Sequence, residues 1–225
     1  MTLTIHDDIV QGTEAWHQLR LGIVTASTVG ALITPAKIAP AHNDTSRGLI
    51  ASLAAERITG WADEIPMNSD MWRGVMDEPI ARAHYAEHHA PVTETGFMVL
   101  ERDGVRLGYS PDGLVGDDGL IEIKSRKAKT HLQTILTDTV PAANVAQLQA
   151  GLLVSGREWI DYVSWCGGMP MHVIRVTPDQ RWFDAIAAAV SLAEQSIAGH
   201  LERYADLTAG RPATDRIDYD KEIVI

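Results

Sequence analysis

Charged side chains that could act together on a phosphate are concentrated in two short segments, residues 110–113 (Ser-Pro-Asp-Gly) and 121–124 (Ile-Glu-Ile-Lys). In a strand, the two isoleucines of the second segment point to one face, and Glu122 and Lys124 point to the other. A hairpin turn between the segments can bring Asp112 beside Glu122. Two adjacent carboxylates repel each other and favour a hard divalent cation such as Mg²⁺ between them. A neighbouring ammonium group can stabilise phosphate charge or help to activate a water.

This group of residues is typical of phosphodiester hydrolysis, but a simpler interpretation is open. An exposed hairpin could carry Glu122 and Lys124 as a surface ion pair worth less than about 1 kcal/mol. Glu78 and Arg82 raise the same question, because they lie one turn apart on one face of a predicted helix. Glu78 is then either a third acidic ligand or one half of a helix ion pair.

Two further features favour chemistry at this site. Gln147, in a predicted helix after the strand, can orient a water or hold a phosphate without adding charge, although such a glutamine more often faces solvent. Arg20 precedes a turn, and Ser27 stands at a predicted helix N-terminus. A guanidinium group opposite free backbone N–H groups suits an anion such as phosphate. These two residues are therefore candidates for an anion pocket.

The elements that must position these residues are predicted from periodicity, capping residues and turn residues. Helices are predicted at 14–21, from 25–27 onward, at 44–59, 69–89, 127–138 and 142–155, and at about 179–206. Strands are predicted at 93–101, 105–109, 120–124, 159–166 and 171–176. Hairpin-type turns at 103–104 and 117–119 separate the first three strands, which are therefore expected to form a meander.

The order of elements is helices, strands, helices, strands and a last helix. This order predicts an α/β or α+β layered domain with a central mixed sheet flanked by helices. The length of 225 residues, with 45% hydrophobic and 22% charged positions, suits one domain. We expect a single domain over residues 1–225, with a helical N-terminal half, a β-meander at about 93–124 that carries the chemistry, and a C-terminal helix at about 179–206.

Composition excludes several classes of protein. The single cysteine, Cys166, excludes an intramolecular disulfide framework, a four-cysteine zinc site and an all-cysteine iron–sulfur cluster. The first residues lack the basic-then-apolar order of a signal peptide, and no apolar run approaches the ~18 residues of a membrane span. We therefore expect no membrane partner and a cytoplasmic location.

Five motifs, in this order along the chain, resemble the phage lambda exonuclease and YqaJ-type viral recombinase family of the PD-(D/E)xK nuclease superfamily. They are W-H-x-L-R-L-G-x-x-T-A-S at 16–27, G-x-x-x-E-x-x-x-A-R at 74–82 with one position different, S-P-D-G-L at 110–114, E-x-K at 122–124 and A-Q-x-Q at 146–149. Each motif alone is weak. The five together, in the family's order, are specific.

The resemblance implies a restriction-endonuclease-like fold and two Mg²⁺ ions, for which Mn²⁺ is a substitute. The implied metal ligands are Glu78, Asp112, Glu122 and the backbone carbonyl of Ile123. The residues implied to position or activate the attacking water are Lys124 and Gln147. With Asp112 and Glu122 they complete the catalytic set. The residues implied to form a pocket for the 5′-phosphate of the digested strand are Arg20, Ser27 and Ser110.

The activity that the resemblance implies is 5′-to-3′ exonuclease digestion of one strand of linear double-stranded DNA. Such digestion releases 5′-mononucleotides and leaves a 3′ single-stranded overhang for recombination by strand annealing. The resemblance also implies a ring-shaped homotrimer that binds DNA ends, and a single-strand annealing recombinase as partner. Two alternatives are a structure-specific or restriction-type endonuclease with the same core, and a non-catalytic DNA-binding module.

The charge balance restricts how DNA can bind. Lysine and arginine total 19 against 30 aspartate and glutamate residues, a formal net charge of -11. A chain that is basic over its whole surface is therefore excluded, and phosphate contacts must be local. The candidate DNA-binding residues are Lys37, Arg126, Lys127 and Lys129. Residues 125–127, Ser-Arg-Lys, also depart from the family, which has a small residue and then proline after the motif lysine.

Overall fold

The computed structural model describes residues 1–63 and 66–216, and the rest of the predicted single domain lies outside the described residues. The α-helices of the described residues are α1 (Glu14–Arg20), α2 (Asp44–Thr59), α3 (Ser69–His88), α4 (Ala128–Thr137), α5 (Ala142–Ser155) and α6 (Gln180–Thr208). The strands are β1 (Thr2–His6), β2 (Val24–Thr25), β3 (Ile33–Thr34), β4 (Ala39–Pro40), β5 (Phe97–Arg102), β6 (Val105–Tyr109), β7 (Gly113–Val115), β8 (Gly119–Ser125), β9 (Trp159–Trp165) and β10 (His172–Val176).

Two four-stranded mixed sheets form the centre of the fold. The first has the strand order β1-β5-β6-β2, with antiparallel pairs except that the short β2 runs parallel to β6. The second has the order β10-β9-β8-β7, in which β8 and β9 are parallel and the outer pairs are antiparallel. This arrangement confirms the predicted fold class, a layered α/β domain of mixed β-structure flanked by helices, but the domain has two mixed sheets where one central sheet was predicted.

The predicted meander over 93–124 needs correction, because its strands belong to different sheets. β5 and β6 pair with each other, but β8 pairs with β7 and β9 and not with β6. The chain leaves the first sheet after Tyr109 and enters the second at Gly113. Because β7 has only three residues, it is too short to show an alternating pattern in the sequence.

The helix predicted to begin at 25–27 is also corrected. Val24–Thr25 forms β2, and a single 3₁₀ turn, Val29–Leu32, follows it. The Thr28 hydroxyl accepts a hydrogen bond from the N–H of Thr25 at 3.0 Å and donates to the carbonyl of Thr25 at 3.1 Å. These bonds close a local turn in place of a helical one. Ser27 therefore lies in a turn at the edge of the first sheet and not at an α-helix N-terminus.

Strand β8 is held by hydrophobic packing on one face. Ile121 and Ile123 are buried against Ala81 and Tyr85 of α3. Burial of an isoleucine side chain contributes about 1.5–3 kcal/mol, which fixes the register of this strand. The polar residues of β8 therefore face the other way, as the alternation in the sequence predicts.

The helices agree closely with the predictions. α2 and α5 have the predicted bounds, and α3 and α6 differ from theirs by one or two residues. α2 begins at a capping box in which Asn43 and Ser46 each bind the other's backbone. The apolar face predicted for α6 is buried in the larger of the two hydrophobic clusters, and includes Ile186, Val190, Ala193 and Ile197. Among the described helices, none is long and apolar enough to cross a membrane.

Candidate active site

Glu122 is the central carboxylate of a cleft beside the end of β8, and only 2% of its surface is exposed. Lys124 donates to the Oε1 atom of Glu122 at 2.7 Å, and the Gln147 amide donates to the same atom at 2.5 Å. The Tyr109 hydroxyl donates to the Oε2 atom at 3.4 Å. Three donors from β8, α5 and β6 therefore fix the orientation of this carboxylate.

Tyr109 is a site residue that the sequence analysis missed. Burial, reinforced by the charge of Glu122, raises its pKa well above the ordinary value, so its hydroxyl remains a hydrogen-bond donor. Its ring fits against α5 because residue 151 is glycine: a Cβ atom at Gly151 would lie 2.8 Å from the Tyr109 Cζ atom. An aromatic residue at the end of a strand, directly before the 110–113 segment, is the signal that could have identified it.

Asp112 reaches the same cleft from the segment that joins the two sheets. Its Oδ2 atom accepts a hydrogen bond from the backbone N–H of Ile123 at 2.6 Å, which ties this segment to β8. Burial, together with the negative charges of Glu122 and Glu78, raises the pKa of Asp112 well above its ordinary value. The structure thus brings Asp112 close to Glu122, where their charges repel each other.

Glu78 lines the cleft from α3 and forms a salt bridge with Arg82. The Arg82 Nε atom also donates to the backbone carbonyl of Asp112 at 2.7 Å. Burial raises the pKa of Glu78, although the charge of Arg82 opposes that shift. Both interpretations of Glu78 from the sequence therefore describe part of its surroundings, since it faces the cleft and is also half of a helix ion pair.

The donor set of the cleft fits a hard divalent cation. The buried carboxylates of Asp112 and Glu122 repel each other, and Mg²⁺ commonly takes one or two protein carboxylates together with water and phosphate oxygens. Within residues 1–63 and 66–216, no group of three or more Asp, Glu, His or Cys side chains is placed to hold a metal ion. The carboxylates of Asp112 and Glu122 are therefore the pair that the cleft presents to such a cation.

Lys124 places a positive charge beside these carboxylates. Burial opposes that charge, but the carboxylates of Glu122 and Asp112 outweigh the effect of burial and raise the pKa of Lys124. The lysine is consequently a charged donor, able to hold a phosphate oxygen or a water.

Arg20, Ser27 and Ser110 line the same cleft. The Arg20 Nη2 atom lies 3.4 Å from the Ser27 Oγ atom, and the guanidinium carbon lies 4.0 Å from the centre of the Trp16 ring. Trp16 donates its indole N–H to the Ser110 Oγ atom at 2.8 Å. Burial lowers the pKa of Arg20 to about 10, which leaves the group charged at neutral pH. One guanidinium and two hydroxyl groups are thus available to an anion.

Trp16 is the second residue that the sequence analysis missed. It contacts two members of the anion pocket, Arg20 and Ser110, and so fixes their relative positions. Its place on α1, four residues before Arg20, puts both side chains on one helix face. That spacing is the signal that could have identified it.

The carboxylates and the anion pocket share one cleft of about 350 Å³. Ser110 and Asp112, two residues apart, connect them. A larger groove of about 560 Å³ lies against α6, is lined by Phe183 and Val190 among others, and contains none of the predicted site residues. The smaller cleft is the candidate active site, because the charged groups with perturbed pKa values converge there.

The predicted DNA-binding residues differ in their surroundings. Lys37, Lys127 and Lys129 are exposed, and Lys127 forms a surface ion pair with Asp70 at 3.0 Å. Arg126 is only partly exposed and donates its hydrogen bonds within the fold. Lys37 and Lys129 are therefore exposed, Lys127 is exposed but paired with Asp70, and Arg126 bonds within the fold through its Nε and Nη2 atoms.

Comparison with known proteins identifies relatives of this chain. Residues 15–158 match the family of YqaJ-like viral recombinase domains. An alkaline exonuclease (LHK-Exo) from Laribacter hongkongensis is 34% identical, with a TM-score of 0.76 over 88% of this chain and 98% of that one. The structure of LHK-Exo in complex with dAMP has the same identity and coverage, with a TM-score of 0.77.

A more distant structure, a phage related exonuclease from Haemophilus somnus 129PT, is similar in fold. It is 15% identical, with a TM-score of 0.62 over 81% of this chain and 96% of that one. No curated protein sequence matches the chain.

Proposed function

The chain belongs to the family of YqaJ-like viral recombinase domains and is a nuclease, and on that premise we propose that it is a Mg²⁺-dependent exonuclease that digests one strand of linear duplex DNA in the 5′-to-3′ direction. One observation carries the proposal: the pocket of Arg20, Ser27 and Ser110 lines the same cleft as Asp112 and Glu122. A phosphate pocket beside a hydrolytic group selects a strand end that carries a phosphate.

The pocket suits a terminal 5′-phosphate. The Arg20 guanidinium supplies charge-assisted hydrogen bonds, which are roughly twice as strong as neutral ones, and the hydroxyl groups of Ser27 and Ser110 supply further donors. Trp16 holds Arg20 and Ser110 in place before the DNA arrives. A strand that ends in a hydroxyl group has no charge to place in this pocket.

The proposed metal ligands are the carboxylates of Glu78, Asp112 and Glu122 and the carbonyl of Ile123, for two Mg²⁺ ions or the substitute Mn²⁺. Such ions, when bound, neutralise phosphate charge and lower the pKa of a coordinated water. Glu122 presents its carboxylate in a fixed orientation, because Lys124, Gln147 and Tyr109 donate to it.

Lys124 and Gln147 are the proposed groups that hold the attacking water or a phosphate oxygen. The water oxygen bonds to phosphorus as the bond from phosphorus to the 3′ oxygen breaks. That 3′ oxygen takes the electron pair and then a proton, and leaves on the released nucleotide. The product is a 5′-mononucleotide, and the shortened strand keeps a new 5′-phosphate. Each cleavage thus regenerates the group that the anion pocket binds.

Two further parts of the proposal concern partners. The exposed lysines Lys37, Lys127 and Lys129 contact the duplex backbone, which a protein of net charge -11 can bind only through local positive groups. The chain assembles as a homotrimer ring on double-stranded DNA ends in the cytoplasm. The 3′ overhang that it leaves is the substrate of a single-strand annealing recombinase.

Digestion of linear duplexes labelled at either end tests the proposal. The duplexes carry a 5′-phosphate or a 5′-hydroxyl, and closed circular DNA and chelated Mg²⁺ serve as controls. The expected result is Mg²⁺-dependent release of 5′ label as mononucleotide, faster with the phosphate and absent from circles. Cutting of circles identifies an endonuclease, and binding without hydrolysis of any substrate identifies a DNA-binding module.

A further inference from the structure

The last residue of β8 and the residue that follows it lie between two helices that carry residues of the cleft. On one side is α3, with Glu78, and on the other is α5, with Gln147. The polar side chains of Ser125 and Arg126 bond in opposite directions, one to each helix. Their contacts connect the end of the central strand to both helices.

Ser125 binds α3 at the residue next to Glu78. Its hydroxyl donates to the Asp77 Oδ2 atom at 2.6 Å and accepts from the Arg73 Nε atom at 3.0 Å. Asp77 and Arg73 lie one turn apart on the helix, so two successive turns of α3 are held by one hydroxyl group. These two bonds fix the position of Glu78 along the direction of β8.

Arg126 binds α5 one turn before Gln147. Its Nη2 atom donates to the Asn144 Oδ1 atom at 2.5 Å and to the Tyr162 hydroxyl at 3.1 Å. Tyr162 is fully buried on β9, directly opposite Glu122 in the ladder between β8 and β9. The guanidinium group therefore connects the first turn of α5 to the strand pair that carries Glu122.

We propose that Ser125 and Arg126 form a two-sided clamp that positions Glu78 and Gln147 relative to Glu122. Both are positioning residues, since neither lies on the reacting atoms in the proposed chemistry, and the inference rests on the proposed function for its catalytic consequence. It gives Arg126 a positioning role, and the DNA contact predicted from the sequence is the alternative that the experiment must separate from it. The Nε and Nη2 atoms of Arg126 donate to Tyr162 and Asn144, so the fold fixes the position of this guanidinium group.

The clamp has a measurable consequence for the rate. Removal of a group that holds a catalytic side chain in place commonly lowers activity by about 10–100-fold. A small misplacement of a reacting group has an effect of similar size. DNA affinity, in contrast, depends on phosphate contacts and the salt concentration. A positioning role and a DNA contact therefore predict opposite results for the same substitution.

The test compares Arg126→Gln, Asn144→Ala and the double variant with wild type and with Arg181→Gln. Arg181 is the matched control, because it forms an ion pair with Asp179 at the start of α6 and does not line the cleft. We measure kcat and KM on a 5′-phosphorylated duplex with Mg²⁺, and DNA binding against salt in chelator. We expect each single variant to lose kcat about tenfold or more, with KM and the salt slope unchanged. The double variant should lose no more than Arg126→Gln alone, because that change already breaks the contact to Asn144 that Asn144→Ala removes.

A wild-type kcat in Arg126→Gln overturns the clamp. The clamp is also overturned if Arg126→Gln leaves kcat unchanged but lowers by about one the slope of log DNA affinity against log salt concentration. That change in slope is the result expected when one phosphate contact is lost. Lys127→Gln supplies that comparison, since it removes an exposed charge proposed to bind DNA.

Hydrogen exchange separates failure of the clamp from failure of the proposed function. Arg126→Gln and Asn144→Ala should speed exchange of the backbone amides in the first turns of α5, and Ser125→Ala should do so in α3, while Arg181→Gln changes neither. If wild type hydrolyses no DNA, the proposed function fails, and faster exchange at these helices still supports the clamp. Unchanged exchange in all three variants contradicts it.

Discussion

Trp16 donates its indole N–H to the hydroxyl of Ser110 at 2.8 Å, across 94 residues of sequence. The same ring lies under the Arg20 guanidinium group. The bond joins α1, which supplies the charge of the anion pocket, to the segment that continues into Asp112. The pocket and the carboxylates are therefore parts of one site and not two neighbouring ones.

Trp16→Phe should reduce the preference for a 5′-phosphate. Phenylalanine keeps an aromatic face for Arg20 but loses the bond to Ser110, and a hydrogen bond of this kind contributes about 0.5–1.5 kcal/mol. We expect kcat/KM on 5′-phosphorylated duplex to fall about three- to tenfold, with a smaller change on 5′-hydroxyl duplex. Trp61→Phe is the matched control, because the Trp61 ring lies under Arg216 and does not line the cleft. An equal fall on both substrates would assign Trp16 to general stability.

Asp112→Asn should abolish hydrolysis and raise the stability of the metal-free protein. The asparagine amide oxygen can still accept the hydrogen bond from the Ile123 N–H. The substitution removes the buried negative charge of Asp112, which burial and the charges of Glu122 and Glu78 disfavour, as the raised pKa of this carboxyl shows. Relief of this repulsion stabilises the folded state, and each kcal/mol raises Tm by about 2–4 °C in a chain of this size. Differential scanning calorimetry in chelator measures the change.

Addition of Mg²⁺ should distinguish wild type from Asp112→Asn. A cation that binds only the folded state stabilises it by about 2.7 kcal/mol at one hundred times its Kd, so wild-type Tm should rise with added Mg²⁺. Asp112→Asn should show little of this rise. Equal shifts in both proteins would place the metal elsewhere.

The preference for a 5′-phosphate should fall at alkaline pH. Burial lowers the pKa of Arg20 to about 10, so the guanidinium group is charged below that pH and loses its proton above it. The ratio of kcat/KM on 5′-phosphate and 5′-hydroxyl duplexes should be constant from neutral pH upward and decline as pH passes about 10. The terminal phosphate, which only one substrate carries, has a second pKa of about 6 and is almost fully ionised throughout this range. The other titrating groups affect both substrates and cancel in the ratio. A ratio that stays constant through this range would contradict the assignment of Arg20.

Gly151→Ala should lower both stability and kcat. The new Cβ atom would lie 2.8 Å from the Tyr109 Cζ atom, so the ring that bonds to Glu122 must move. Overpacking of this kind costs about 1–3 kcal/mol, which urea denaturation measures. Gly48→Ala on α2 is the control, because its Cβ meets nothing within 4 Å, and alanine there should stabilise the helix by about 0.5–1 kcal/mol. Full activity in Gly151→Ala would remove Tyr109 from the site.

The features that the sequence determined by itself are those that depend on local backbone physics. Alternation places Glu122 and Lys124 on one face of β8, because successive side chains of a strand point to opposite sides. Capping residues set the bounds of α2 between Asn43 and Gly60, a left-handed Gly156 ends α5, and short motifs identify the residues of the cleft. None of these depends on which distant segment packs alongside.

Tertiary structure alone decided which elements meet. The sheet that β8 joins depends on pairing with β9, a contact between residues far apart in sequence, and no local pattern encodes it. For the same reason Arg126, one of several basic residues in sequence, turns inward to Asn144 while Lys127 stays exposed. The direction of a long charged side chain is set by the acceptors within its reach, and only the folded chain places those acceptors.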